Sequence, residues 1–169
     1  KKEVVFHDVA YINFRVNKHS NKFNVELTEF AVFYSEDNLN IDDNLKKGRS
    51  KLVVENGNII DKRKDNEGNI SEEIITKSWS DWIDYWSVDF NYESKKEFIS
   101  VIENDKTKEI WTGNYVFENE WQSFRNSKTD DKLEFITSDR EITQRKTKIA
   151  VKVVDIFGND TMKLLEVTL

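Results

Sequence analysis

Residues 148–169 read KIAVKVVDIFGNDTMKLLEVTL and carry the clearest strand–turn–strand signal in the chain. Two β-prone runs, from about Lys146 to Asp155 and from Thr161 to Thr168, flank turn residues 156–160. Polar residues and a glycine between two such runs are typical of a β-hairpin. The sequence therefore predicts that the chain closes with a hairpin.

The rest of the chain contains further short strands. Residues 10–16 alternate apolar and polar side chains, and the run 23–34 does the same but changes phase near Thr28, as a β-bulge would produce. Other strands are expected at 86–92, 96–103, 108–112, 114–117 and 132–136. Many short strands with polar turns predict a mainly β protein, an antiparallel immunoglobulin-like β-sandwich that forms one domain over residues 1–169.

Two segments depart from this pattern. Residues 35–70 are rich in Asn, Asp, Lys and Gly, which indicates an insertion or long connection, and Asn56-Gly57 predicts a small hairpin within it that projects from the body. Residues 71–85 place Ile74, Ile75, Trp79, Trp82 and Ile83 on one stripe, which Trp86 continues, after a candidate N-cap, Ser71. This spacing predicts one amphipathic helix.

Composition limits the possible functions. The 169 residues include 26 Lys and Arg against 32 Asp and Glu, a formal charge of −6, which disfavours a broad nucleic-acid clamp but permits a local basic patch. No apolar run approaches 18 residues, so no membrane span is expected, and the absence of cysteine is compatible with a cytoplasmic location.

Catalytic and metal-binding patterns are weak. The five glycines are isolated, so no phosphate loop can be written, and His7 and His19 have no third ligand nearby. Asp81 and Asp84 are expected to face solvent, and a polar cluster at 155–160 is expected to be turn chemistry and not a calcium loop. We therefore expect no catalytic residue, no metal and no cofactor in this chain.

One segment has the residue types of a nucleic-acid contact. Trp121, Gln122 and Arg125 could stack on bases and bond their edges, and Arg145 and Lys146 add positive charge. Core packing is the alternative role for Trp121, because tryptophans in sandwiches are usually buried.

Three blocks carry a family resemblance: residues 79–90, which begin WSDWIDYW, residues 117–125, FENEWQSFR, and residues 148–161. Together they resemble the C-terminal region of bacterial and archaeal site-specific, adenine-specific DNA methyltransferases of the type III restriction-modification-like group. The resemblance implies a noncatalytic accessory domain of an S-adenosylmethionine-dependent enzyme, with upstream domains of the same chain, and DNA, as partners. The Asp-Pro-Pro-Tyr and Phe-x-Gly-x-Gly type motifs of such enzymes are missing from this sequence, which has no proline.

A second hypothesis comes from the closing hairpin, which resembles the last hairpin of immunoglobulin-like sandwiches. Such a module could bind carbohydrate or another protein, and Trp79, Trp82 and Trp86 would then form an exposed platform. Burial of these three side chains separates the two hypotheses.

Overall fold

The structure is a computed structural model that describes residues 10–33, 41–125 and 132–169. These ranges are dominated by antiparallel strands, so the predicted mainly β, antiparallel sandwich is confirmed. The elements are β1 Ala10–His19, β2 Lys22–Val32, α1 Ile41–Asn44, β3 Arg49–Glu55, β4 Asn58–Lys64, β5 Ile70–Ile74, a 3₁₀ turn Trp79–Trp82, β6 Ile83–Asp89, β7 Lys96–Glu103, β8 Lys106–Tyr115, β9 Trp121–Phe124, β10 Arg140–Glu141, β11 Lys146–Asp155 and β12 Asp160–Thr168.

The closing hairpin is the edge of a four-stranded sheet. Strand β11 pairs with β12 from Lys146 opposite Thr168 to Val154 opposite Asp160. Strand β6 pairs with the other side of β11, and β9 follows, which gives the order β12-β11-β6-β9. The three sequence blocks thus lie on the adjacent strands β6, β9 and β11 of one sheet.

The turn between β11 and β12 is organised by a carboxylate. Asp155 Oδ1 accepts the backbone N–H groups two and four residues later, at 2.9 and 3.0 Å. Asp65, between β4 and β5, accepts the equivalent two N–H groups at 2.9 and 2.8 Å. In both turns the residue three positions later is a glycine with positive φ, Gly158 at +83° and Gly68 at +99°, a conformation that L side chains disfavour. The polar residues 155–160 therefore stabilise a turn, as expected.

A second sheet, in the order β1-β2-β10, covers one face of the first. The pairing of β1 with β2 shifts between Asn13 opposite Glu29 and Phe14 opposite Leu27, which leaves Thr28 as the extra residue. The predicted bulge is therefore confirmed. The two sheets share an apolar core, to which they contribute mainly Ile12, Phe14, Val25, Leu27, Phe30, Trp86, Val88, Ile149, Val151 and Val153.

The strands β3, β4 and β5 form a small third sheet. Asn56 and Gly57 connect β3 to β4 with φ of +52° and +74°, so the predicted Asn-Gly hairpin is confirmed. The expectation that this hairpin projects from the body is wrong. Val54 and Ile59, which are opposite each other in the hairpin, are fully buried in the main core. The polar composition of residues 35–70 gave no indication that Val54 and Ile59 are buried.

The predicted helix over 71–85 is also wrong. Residues 70–74 are strand β5 and pair with β4, with Ile74 opposite Ile60. Only the 3₁₀ turn is helical, and it is fixed by Asp81, whose Oδ2 accepts the N–H groups of Lys77 at 2.8 Å and Ser78 at 3.0 Å. The strand β5 and the 3₁₀ turn together have the same apolar spacing as an amphipathic helix. The segment forms a strand at its start because its β-branched residues pair with those of β4.

Strands β7 and β8 pair with each other in a two-stranded ribbon, residues 96–115. The two strands predicted at 108–112 and 114–117 are one strand, because the chain passes through Gly113, with φ of +87°, at a bulge. The strand predicted at 132–136 does not form. That segment runs beside β2, with one isolated bridge between Ile136 and Glu26.

Candidate functional site

The tryptophans of residues 79–86 are core residues. Trp86 is 0% exposed and Trp82 is 4% exposed, while Trp79 is half-buried with its ring 5.2 Å from that of Phe135. The Trp86 indole N–H donates to the carbonyl of Glu134 at 2.6 Å. The predicted exposed platform is therefore wrong, because these side chains fill the space between the two sheets.

The segment 121–125 lies on edge strand β9. Trp121 is half-buried, and its ring centroid is 4.7 Å from that of Trp86, so packing occupies much of its surface. Gln122 is exposed opposite Ser87. Arg125 donates from Nε to the carbonyl of Ile83 at 3.0 Å and from Nη2 to that of Ser80 at 2.5 Å. Its guanidinium is therefore already engaged in holding the 3₁₀ turn.

Arg145 and Lys146 lie at the opposite end of the same sheet. Phe124 on β9 is level with Tyr85 on β6, and Tyr85 is level with Val154 on β11. Arg125 comes one residue beyond this level and Arg145 nine residues before it, so at strand rise the two arginines are about 30 Å apart. The five residues predicted as a nucleic-acid contact therefore do not form one patch.

A basic cluster is present at the Arg145 end. We define it as Arg145, Lys146 and Lys148, which are neighbours in the chain; Arg145 is outside the lining of the depression described next, and Lys148 was not predicted. The two lysines border a depression of about 490 Å³, whose other lining residues are Asn91, Thr147, Glu166, Val167 and Thr168. Across the three described ranges, none of the three cations is within ion-pair distance of a carboxylate. The lining also includes an acid, Glu166, which is opposite Lys148 in the strand register. The cluster is thus free to meet an external anion.

An acidic depression of about 500 Å³ borders the cluster through their shared residue Asn91. Its lining includes the acids Asp89, Glu93, Glu118 and Glu120 and the cation Lys95. Internal bonds use part of this charge, since Asp89 accepts the N–H groups of Asn91 and Glu118 at 3.0 Å. The remaining negative charge disfavours an anionic ligand on this side. We therefore expect an anion to reach the basic cluster from the side away from the acidic depression.

Histidine and acidic side chains are dispersed over the parts of the chain that the structure describes. No group of three or more His, Cys, Asp or Glu side chains there is placed to bind a metal ion. His19 lies 3.0 Å from Asp139, and His7 lies outside the described residues. None of the helices in those parts is both long and apolar enough to cross a membrane.

Comparison of the chain with known protein families, with characterised proteins and with solved structures finds no match. The fold and the basic cluster define an antiparallel β-sandwich with a local cationic site at one end of its larger sheet.

Proposed function

We propose that this chain is a noncatalytic accessory domain of a site-specific, adenine-specific DNA methyltransferase of the restriction-modification type, which acts in the cytoplasm and uses this domain to engage DNA. The observation that carries the proposal is the basic cluster of Arg145, Lys146 and Lys148, cations without an ion-pair partner in the described ranges. The methyltransferase assignment is supported by the three sequence blocks, which occupy neighbouring strands.

The cluster suits contact with phosphate groups and not with base edges. Lysine side chains act as point charges, and phosphate contacts position a protein on DNA without reading its sequence. The formal charge of −6 and the adjacent acidic depression limit this contact to a small area. We therefore expect weak, salt-dependent binding, with sequence recognition and S-adenosylmethionine binding supplied by other domains of the parent enzyme.

A carbohydrate-binding role loses its main support, because the three tryptophans of its platform are packed in the core. A protein-docking role retains a separate basis in the exposed β7–β8 ribbon. The contact predicted for Trp121, Gln122 and Arg125 remains a prediction, and the proposal above does not depend on it.

Fluorescence anisotropy with labelled duplex DNA tests the proposal. We expect the 169-residue chain to bind at low salt, and the triple variant Arg145→Ala, Lys146→Ala, Lys148→Ala to bind more weakly. If each side chain neutralises one phosphate, the slope of log affinity against log salt should fall in magnitude by about 2.7, at about 0.9 per phosphate.

A matched control removes three exposed cations from another surface: Lys46→Ala, Lys47→Ala, Lys51→Ala. Both triple variants change the net charge equally, so only the first should alter the slope strongly. Equal losses in the two variants would mean that net charge, and not a site, governs binding. Absence of binding by the unsubstituted chain at low salt would contradict the proposed DNA contact.

A further inference from the structure

The β7–β8 ribbon exposes a set of large apolar side chains. Residues directly opposite in the ladder share a face, so Phe98 and Trp111 lie together, with Ile102 and Tyr115 on the same side. Their exposed fractions are 54% for Phe98, 42% for Trp111, 81% for Ile102 and 47% for Tyr115. We call these four residues the aromatic face.

This face has no cover within the described residues. Strands β7 and β8 contact each other extensively and the rest of the domain little. A two-stranded ribbon is marginally stable in water without packing against something else. Three half-exposed aromatic residues present roughly 300 Å² of surface, at 150–250 Å² for each whole side chain, and Ile102 adds to it. A patch of about this size is comparable to the largest apolar patch on a typical soluble monomer, which is often functional.

The chemistry of the ribbon favours a protein occupant over a nucleic acid. Residues 96–115 carry three lysines and four carboxylates, so the ribbon has no excess positive charge. The indole N–H of Trp111 already donates to the carbonyl of Asn114 at 2.9 Å. The aromatic face therefore offers an occupant mainly apolar contact, since the Trp111 indole N–H has no further hydrogen bond to donate.

The charges on this face are self-complementary. Lys96, opposite Tyr115, lies toward the base of the ribbon, and Glu109, opposite Ser100, lies toward its tip. Each is two residues from the Phe98–Trp111 pair, about 7 Å away in opposite directions. The Lys96 ammonium lies over the Trp111 ring, 4.5 Å from its centroid.

We propose that the occupant is a second copy of this chain, packed ribbon against ribbon in antiparallel orientation about a two-fold axis through the Phe98–Trp111 pair. The aromatic pairs of the two copies then stack on each other. In this arrangement Lys96 of each copy lies level with Glu109 of the other copy along the strands. The two residues are displaced sideways by about 5 Å, one strand spacing, which a lysine side chain spans. Such an interface is isologous and closes as a dimer.

Sedimentation velocity of the 169-residue chain over a concentration series tests this proposal. We expect a reversible monomer–dimer equilibrium that is populated at up to about 100 μM, in the weak range of the affinity scale. The double variant Phe98→Ser, Trp111→Ser should remain monomeric throughout. Phe124→Ser is the control, because Phe124 is 52% exposed on a different surface, and it should dimerise normally.

Charge exchange then tests the orientation. Lys96→Glu places like charges together and should weaken association by at least about tenfold, whereas Lys96→Glu, Glu109→Lys should restore it. Circular dichroism of every variant checks that the sandwich is folded. A chain that is monomeric at all concentrations, a control as weak as the ribbon variant, or a charge exchange that fails to restore association would overturn the proposal. Because the basic cluster lies outside the ribbon, these results are independent of the DNA-binding test.

Discussion

Replacement of Trp86 by phenylalanine should destabilise the domain far more than the same replacement at Trp111. Both indole N–H groups donate to a backbone carbonyl, at 2.6 Å for Trp86 and 2.9 Å for Trp111. The first side chain is 0% exposed and the second 42% exposed. The pair therefore isolates the effect of burial on one chemical change.

The magnitude follows from two losses at Trp86. Phenylalanine leaves a cavity of about 40 Å³, worth about 1 kcal/mol. It also leaves the carbonyl of Glu134 without its indole donor in a partly buried position, which costs roughly 1–3 kcal/mol. We expect Trp86→Phe to lower the free energy of unfolding by about 2–4 kcal/mol, and Tm by roughly 5–12 °C for a chain of this size. At Trp111, water replaces the lost contacts, and the loss should stay below about 1 kcal/mol.

Urea and thermal unfolding followed by far-UV circular dichroism measure both values, at a concentration low enough to keep the chain monomeric. Trp86→Phe within about 0.5 kcal/mol of Trp111→Phe, a margin comparable to ordinary surface substitutions, would refute the assignment of Trp86 to the sandwich core.

Two further predictions concern turns and pH. Asp155→Ala should lower the free energy of unfolding by about 2 kcal/mol in urea titrations, because two part-buried N–H groups lose the carboxylate of Asp155, which is 2% exposed. Asp65→Ala, in the exposed copy of the turn, should have a smaller effect, and equal losses would contradict this. Hydrogen bonds from Arg15 and then Asn17 lower the pKa of Glu26, so its stabilising contribution is complete above the ordinary carboxyl pKa of about 4.3 and is lost as pH falls through the lower folded-state pKa. Glu26→Gln should flatten the acid side of a Tm-against-pH curve, and an unchanged curve would show that this carboxyl carries no such linkage.

Local sequence patterns predicted several features well. The limits of β11 and β7 match the predicted runs, since turn residues bound them on both sides. Thr28 produced a visible phase change in the alternation, and Asn56-Gly57 supplied the two positive φ angles of a tight turn. Each of these features depends on residues within a few positions of one another, which is why the sequence contains the information.

The errors concern features that distant residues decide. The segment 71–85 has a helical apolar spacing, yet pairing with β4 makes its start a strand. Arg125 and Arg145 were grouped by residue type, but strand order places them at opposite ends of a sheet. Lys148 was overlooked because a lysine inside a strand gives no signal until its neighbours and the depression beside it are known.

By itself, the sequence determined that the chain forms short antiparallel strands, where several of them begin and end, and which turns connect those strands, because φ preferences and period-two alternation act locally. Tertiary structure decided which apolar side chains are buried. It placed Trp86 between two sheets and left Trp111, of the same residue type on a similar strand, open to solvent on the ribbon. Burial depends on what packs against a strand from elsewhere in the chain, and alternation along the strand does not contain that information.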